Sequence, residues 1–156
     1  MESDSKGLDG QMELYIRVTN YQDGCFSSVG YWEEVQQLNI GPFCEYEGTV
    51  IHEFLHAIGF FHQQSSYERD LFIDIIWENI EEGKDHNFDK RKIRDVTNFR
   101  TLYDYSSIMH YGESAFSKNG KPTMVAKFPE GQDQMGAREM SPTDIYKINR
   151  MYNCEI

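Results

Sequence analysis

The sequence predicts one globular domain that contains both strands and helices. Its 156 residues are typical of a single domain and suffice to bury a core. Residues 12–19 and 35–40 have the apolar patterning of short strands. Residues 48–59 and 141–152 repeat apolar side chains at helical spacing.

The N-terminal half is predicted to alternate strands and turns before its helix. Residues 12–19 (MELYIRVT) form the first strand, residues 21–30 are rich in turn formers, and Gly41-Pro42 ends the second strand. The helix at residues 48–59 stops at its glycine. Its predicted apolar stripe consists of Val50, Ile51, Phe54, Leu55 and Ile58.

The C-terminal half is predicted to be mostly irregular until its last helix. Residues 63–98 are polar apart from an apolar island at residues 71–77, and residues 103–111 and 123–128 are short apolar pieces within loops. In the last helix, Ser141 suits the N-cap, and a carboxylate three residues later completes a variant of the capping box. The predicted apolar face consists of Ile145, Ile148, Met151 and Tyr152.

Charge and hydropathy exclude several classes of partner. The net charge is −11, from 26 acidic and 15 basic residues. Nucleic acids and anionic membranes select for basic surfaces, so neither is expected as a partner. No apolar run approaches the roughly 18 residues that a membrane span needs.

The three cysteines and the first ten residues indicate whether the protein is secreted. An odd count predicts either one bridge with a leftover thiol, at Cys25, Cys44 and Cys154, or a partner outside the chain. The first ten residues lack the charged and apolar regions of a signal peptide. Either the protein is not secreted, or the chain is part of something longer.

The segment HEFLHAIGFFH at residues 52–62 carries the strongest functional pattern. On a helix, His52 and His56 lie four residues apart and would point both imidazoles at one metal ion. Gly59 permits a sharp turn, because glycine tolerates a positive φ, and His62 can then supply a third nitrogen. A satisfied core histidine would explain one of these residues, but not the whole set.

Three neutral imidazoles leave a zinc ion its full charge and one open position for water. Zinc lowers the pKa of such a water from about 15.7 to about 7 and polarises a peptide carbonyl. Glu53, next to the first ligand, can take the proton of the attacking water and pass it to the leaving amine. The pattern predicts a hydrolase with one Zn²⁺ per chain and a protein or peptide as substrate.

A second motif, SIMHY, occupies residues 107–111. Met109 can pack under the ligands as the methionine turn of metzincin peptidases does. In isolation Met109 would be ordinary core and Tyr111 a half-buried phenol, but downstream of the first motif both become candidate site residues. His110 is expected to form local hydrogen bonds, because three ligands are already assigned.

These strings resemble the astacin family of zinc peptidases. The likeness covers most of the chain, and a tyrosine directly after SIMH distinguishes astacins from other metzincins. The matching pieces are TVIHEFLHAIGFFH, Arg69-Asp70, NF at residues 87–88, DYSSIMHYG at residues 104–112 and SPTDIYKINRMYNC at residues 141–154.

The resemblance implies a role for each candidate residue and a fold to hold them. It implies that His52, His56 and His62 bind zinc, that Glu53 is the general base, and that Tyr111 is a weak additional ligand that swings to stabilise the tetrahedral intermediate. It implies an α+β fold of two lobes: an upper one with a twisted sheet and the active-site helix, and a mostly irregular lower one that ends in a helix. The substrate would lie extended in the cleft, paired to an edge strand.

The family pattern also pairs Cys25 with Cys44 and implies a secreted protein. It pairs Cys154 with a cysteine of an early strand that this sequence does not contain. We therefore expect residues 1–156 to be a single catalytic domain that lacks its N-terminal part. Gln63 stands where the family usually has a glutamate that contacts the mature N-terminus, and Ser66 and Glu68 also depart from the pattern.

Two alternatives remain open beside an active zinc metalloendopeptidase. The chain could be a truncated, inactive astacin-like domain that binds zinc or peptides, in which case zinc would bind without proteolysis. It could also be an intracellular hydrolase with another substrate, in which case Cys25 and Cys44 would be reduced.

Overall fold

A computed structural model describes residues 14–154 of the chain and divides it into two compact units, Met1–Phe60 and Phe61–Ile156. Its small sheets and few helices confirm the predicted α+β class. Among the described residues, no helix combines the length and apolarity needed to cross a bilayer.

The first unit consists of a three-stranded sheet and the helix α1. Strands β1 (Ile16–Thr19) and β3 (Gln36–Ile40) are parallel, and β2 (Cys25–Ser27) pairs with β3 in the antiparallel direction. The strand order is therefore β1-β3-β2, which puts β1 and β2 on the outside of the sheet formed by the described residues. Helix α1 (Glu47–Ala57) packs on β2 and β3.

A disulfide between Cys25 and Cys44 links the start of β2 to the loop before α1. Cys154 is a free, exposed thiol. The bridge between Cys25 and Cys44 is the one that the family resemblance implied.

Three sequence predictions for the first unit need correction. Part of the predicted strand at residues 12–19 lies outside the described residues, and the described strand begins at Ile16. The turn-rich segment contains β2, a three-residue strand too short to show a period. Of the predicted apolar stripe on α1, Leu55 is buried but Phe54 is 41% exposed, and the helix also buries Glu53, His56 and Ala57.

The second unit is largely irregular, as predicted. Strands β4 (Ile73–Ile75) and β5 (Met124–Ala126) form a two-stranded antiparallel sheet, although residues 123–128 were predicted to be a loop. The chain ends in helix α2 (Pro142–Tyr152). The core cluster consists of Ile73, Ile80, Phe88, Tyr103, Tyr105 and Met124.

Helix α2 begins as predicted but turns an unexpected face inwards. The Ser141 hydroxyl accepts a hydrogen bond from the Asp144 amide, and the Asp144 carboxylate accepts one from the Ser141 amide. The buried face is nevertheless polar, and the predicted apolar face is largely exposed: Ile145 is 46% exposed and Met151 43% exposed. The hydrogen bonds of Asp144 fix the rotation of the helix about its axis.

Candidate metal centre

The three histidines of residues 52–62 come together. One ring nitrogen of each of His52, His56 and His62 lies within 4.8 Å of the other two. His52 and His56 face each other edge to face on α1, with ring centroids 4.7 Å apart. The i, i+4 spacing on a helix produces this pairing, as the sequence predicted.

The hydrogen bond of His56 fixes its tautomer. Nδ1 of His56 lies 2.7 Å from the carbonyl oxygen of Phe60, and a carbonyl only accepts. Nδ1 therefore carries the proton, and the lone pair of Nε2 is left for a metal. Burial, with a smaller contribution from the neighbouring His52, lowers the pKa of His56 to about 4, so the imidazole is neutral at pH 7.

A Schellman motif ends α1 and turns the chain towards the third histidine. The amide of Phe60 donates to the carbonyl of Leu55, and the amide of Gly59 donates to that of His56, both at 2.9 Å. Gly59 has φ 110°, a conformation that strains any residue with a Cβ. The glycine identified in the sequence is therefore required by the backbone of the turn.

Glu53 is buried on α1 beside the first ligand. Its side chain is 5% exposed, and Oε2 has no hydrogen-bond partner within residues 14–154. Burial raises the pKa of the Glu53 carboxyl from 4.5 to about 7. An unpaired buried carboxyl is unusual and costly, and a pKa near neutrality suits a group that exchanges protons.

Tyr111 lies against the third histidine. Its ring centroid is 4.4 Å from that of His62, and its amide donates to Oε1 of Gln64 at 3.3 Å. Met109 is buried, and its carbonyl accepts a 2.9 Å hydrogen bond from the amide of Gln63, the residue after His62. The SIMHY segment is thus hydrogen-bonded to the chain that follows the third histidine.

His110 forms the local hydrogen bonds that the sequence predicted. Its Nδ1 lies 2.7 Å from the carbonyl oxygen of Tyr111, and its Nε2 lies 2.7 Å from the hydroxyl of Tyr103. The carbonyl requires a proton on Nδ1, so the Tyr103 hydroxyl donates to Nε2. Burial lowers the pKa of His110 to about 4, which keeps the ring neutral.

The residues present fit a zinc ion. Zinc binds imidazole nitrogen at about 2.0–2.1 Å, so two nitrogens of a tetrahedral site lie about 3.3–3.4 Å apart. The three nitrogens lie within 4.8 Å of one another, so side-chain rotation has to bring them closer by no more than about 1.5 Å. Neutral imidazole is a preferred zinc donor, and Glu53 places a buried acidic oxygen without a partner in the described residues next to His52.

The sequence as a whole matches one peptidase family. The family model for astacin, peptidase family M12A, matches residues 6–153. The chain belongs to the astacin family. The astacin resemblance drawn from the sequence motifs is thereby confirmed.

Two relatives show how much of a longer protein this chain matches. Zinc metalloproteinase nas-4 of Caenorhabditis elegans is 44% identical over 133 residues, which cover 85% of this chain and 42% of that protein. Meprin A subunit alpha of Rattus norvegicus is 44% identical over 153 residues, covering 97% of this chain and 20% of that subunit. The chain therefore spans less than half the length of these relatives.

A solved astacin-family structure has the same fold. High choriolytic enzyme 1, a hatching enzyme zinc-protease from Oryzias latipes, matches with a TM-score of 0.82 and 40% identity. The match covers 90% of this chain and 69% of that one. It supports the predicted fold class independently of the sequence motifs.

Sequence reasoning missed the polar side chains that support this region. Gln64 is fully buried and holds the Tyr111 amide, and Lys147 is buried on α2 with its amine against Gln63. The sequence offered one weak signal, two consecutive amides directly after the third histidine. Nothing in the helical pattern of α2 marked Lys147 as buried.

The first unit also has an open depression of about 600 Å³ that the sequence did not predict. Its lining includes a single ionisable side chain and no histidine, so it lacks the convergent polar groups of a catalytic site. The lining consists of Val18, Thr19, Asn20, Ile40, Gly41, Pro42 and Glu45.

Proposed function

We propose that this chain is the catalytic region of a zinc metalloendopeptidase. The observation that carries the proposal is the convergence of three imidazole nitrogens within 4.8 Å, next to a buried carboxyl with an unpaired oxygen. A structural histidine cluster would have no need of such a carboxyl, which costs stability. Membership of a peptidase family adds independent support.

The chain's residues divide the work between binding and proton transfer. His52, His56 and His62 hold one zinc ion, and the Phe60 carbonyl keeps Nε2 of His56 available to it. When bound, zinc would activate a water and polarise the scissile carbonyl. Glu53 takes a proton from the attacking water and passes it to the leaving amine.

The SIMHY segment completes the site. Tyr111, whose ring lies against His62, moves to donate a hydrogen bond to the oxyanion that develops on the scissile carbonyl. Met109 supports the ligands from its buried position. Because Glu53 still transfers the proton in their absence, substitution of Tyr111 or of Met109 should leave partial activity.

The substrate is an extended protein or peptide segment. Strand β2 lies at an edge of the sheet that packs on α1, and an extended peptide can add to such an edge by main-chain hydrogen bonds. The Cys25–Cys44 disulfide supports an oxidising compartment, so the protein acts outside the cytosol. Alkylation followed by mass spectrometry of the protein from its natural source should find this pair oxidised.

Substitution of the general base tests the proposal. The full chain is loaded with one zinc per molecule and assayed on a denatured protein, with and without a chelator. Glu53→Gln should retain zinc but lose about 10²–10⁴-fold in kcat, the usual contribution of a general base. The matched control is Glu47→Gln, an exposed glutamate of the same helix, which should remain within twofold of the parent.

Two outcomes would contradict the proposal. Full activity of zinc-loaded Glu53→Gln would remove the general base from the mechanism. Stoichiometric zinc binding by the parent without any proteolysis would instead assign the chain to a binding domain without turnover. Failure of the parent to bind zinc at all would contradict both functions.

A further inference from the structure

Helix α2 turns a polar face into the second unit. Ser141, Asp144 and Lys147 are spaced three residues apart, and each is buried, with Asp144 4% and Lys147 7% exposed. This spacing places them on one side of the helix. Burying a carboxylate and an amine is costly unless each is hydrogen-bonded, so their partners show what the face holds.

The Asp144 carboxylate holds the segment that carries Met109. Its Oδ1 accepts a 2.6 Å hydrogen bond from the Ser107 hydroxyl, and its Oδ2 accepts a 2.9 Å bond from the Ile108 amide. The Ser107 hydroxyl in turn accepts from the Met109 amide at 3.1 Å. The carboxylate thereby fixes the backbone that leads to Tyr111.

Lys147 holds the residue that follows the third histidine. Its Nζ donates to Oε1 of Gln63 at 3.0 Å, and the Gln63 amide donates to the Met109 carbonyl at 2.9 Å. Two side chains of α2, one turn apart, therefore reach the segment after His62 and the segment before Tyr111. The link between Gln63 and Met109 closes the set of contacts into a ring.

The hydrogen bond of Lys147 is specific in its direction. Its partner is the neutral amide of Gln63, so the contact itself is a hydrogen bond and not an ion pair. Burial lowers the pKa of the Lys147 amine, and the carboxylates of Asp144, Asp104 and Glu68 oppose that shift. The buried charge is thereby supported, and its hydrogen bond decides where Gln63 is held.

We propose that Lys147 and Asp144 are positioning residues of the zinc site: they fix His62 and Tyr111 in place through Gln63 and the 107–109 segment. The inference rests on the proposed zinc-binding function. Its consequence is that α2, which supplies no ligand, controls how well the third ligand is preorganised. Substitutions in the support of a metal ligand typically weaken metal binding 10–100-fold.

The test compares two substitutions on one helix in the full chain. Lys147→Met removes the buried amine, and Arg150→Met removes an exposed cation of the same helix. Zinc dissociation constants are measured by competition with a chelator, Co²⁺-substituted protein gives the absorption spectrum of the site, and thermal unfolding of the metal-free protein gives stability. Lys147→Met should bind zinc at least tenfold more weakly and shift the Co²⁺ spectrum at temperatures well below the unfolding midpoint of the metal-free variant, so that the loss of affinity is not a loss of the folded state. Arg150→Met should match the parent within twofold.

Three further variants change the residues that Lys147 and Asp144 contact. Gln63→Glu keeps an acceptor for Lys147 and should retain zinc affinity, whereas Gln63→Met removes it and should behave like Lys147→Met. Ser107→Ala breaks the Asp144 contact without altering the capping box and should also weaken zinc binding. These variants carry the test if Lys147→Met does not fold.

The results separate this inference from the proposed function. If the parent binds zinc and Lys147→Met binds it within twofold, with an unchanged Co²⁺ spectrum, the positioning role is wrong and the metal site stands. If the parent binds no zinc, the proposed function itself fails.

Discussion

Helices α1 and α2 each span eleven residues, and each buries polar side chains, but the buried groups differ in their partners. On α1, Glu53 has an oxygen without a hydrogen-bond partner in the described part of the chain. On α2, the carboxylate of Asp144 and the amine of Lys147 both have partners. An unpaired buried group is available for chemistry, whereas a paired one is committed to holding structure.

The two helices also begin and end differently. The N-cap of α1, Tyr46, makes no side-chain cap hydrogen bond, whereas α2 begins with a full capping box at Ser141. At the other end, α1 turns at Gly59 with φ 110°, and α2 ends at Asn153 with φ 51°. Helix α2 is therefore stabilised by its own sequence, and α1 depends more on its packing.

The largest effect should follow from removing the paired carboxylate. Asp144→Ala leaves the Ser107 hydroxyl and the Ile108 and Ser141 amides without their acceptor in a buried site. We expect a loss of about 3–5 kcal/mol in the free energy of unfolding, measured with chemical denaturant. Asp133→Ala, at an exposed position, should change it by less than about 0.5 kcal/mol. Equal effects of the two substitutions would remove the distinction between the helices.

Removing the Glu53 carboxyl should raise the stability of the folded protein, whereas removing the Asp144 carboxylate lowers it. In chelator-treated protein, the folded-state pKa of Glu53 is about 7 against 4.5 for the ordinary group. The folded state then binds more protons between these values, so stability is greatest below pH 4.5 and falls as pH rises towards 7. Glu53→Gln should remove this fall and be more stable than the parent by about 3 kcal/mol at pH 8, with little difference at pH 4.

Denaturant unfolding at the two pH values measures that difference directly. Glu47→Gln is again the control, because this glutamate is exposed in the first turn of α1. A parent protein that is as stable at pH 8 as Glu53→Gln would mean that the carboxyl is not held at a cost.

Substituting the residue at the C-terminal end of each helix should show which of the two positions requires glycine. Gly59→Asn places a Cβ at φ 110°, outside the left-handed region that asparagine tolerates, and should cost about 2 kcal/mol. Asn153→Gly occupies φ 51° without strain and should change stability by no more than about 1 kcal/mol. Thermal unfolding of both variants gives the comparison, and similar losses would contradict it.

The smallest effect should come from the N-caps. Ser141→Ala removes the α2 cap and should cost about 1 kcal/mol, whereas Tyr46→Asp supplies α1 with a cap and should add about the same. Tyr46 is exposed, so the substitution loses little packing. Denaturant unfolding of each single variant shows whether α1 is limited by its missing cap, and a fall in stability on Tyr46→Asp would argue that it is not.

Features with a local cause could be predicted from the sequence. The capping box at Ser141 and Asp144 and the turn at Gly59 depend on neighbouring residues only, and the structure has both. The meeting of His52 with His56 follows from helical geometry alone. The strands β2, β4 and β5 were missed because three residues cannot display a period.

Features with a distant cause could not be predicted. Hydrophobic patterning placed Phe54 and Ile145 on the apolar faces of their helices, but it could not show that both side chains are exposed. The rotation of α2 is set by the contact of Asp144 with Ser107, which lies 37 residues earlier in the chain. Likewise, Lys147 finds Gln63 across a separation of 84 residues, which no periodicity encodes.

The Schellman turn after α1 keeps all three zinc-binding candidates within one short stretch of chain, residues 52–62. Pairing β1 with β3, by contrast, joins residues 20 apart, such as Ile16 and Gln36. A loop of twice the length costs only about 0.6 kcal/mol more to close, so the advantage of the short stretch is small in entropy. Its larger consequence is that the three histidines can be brought together without any contact between distant parts of the chain.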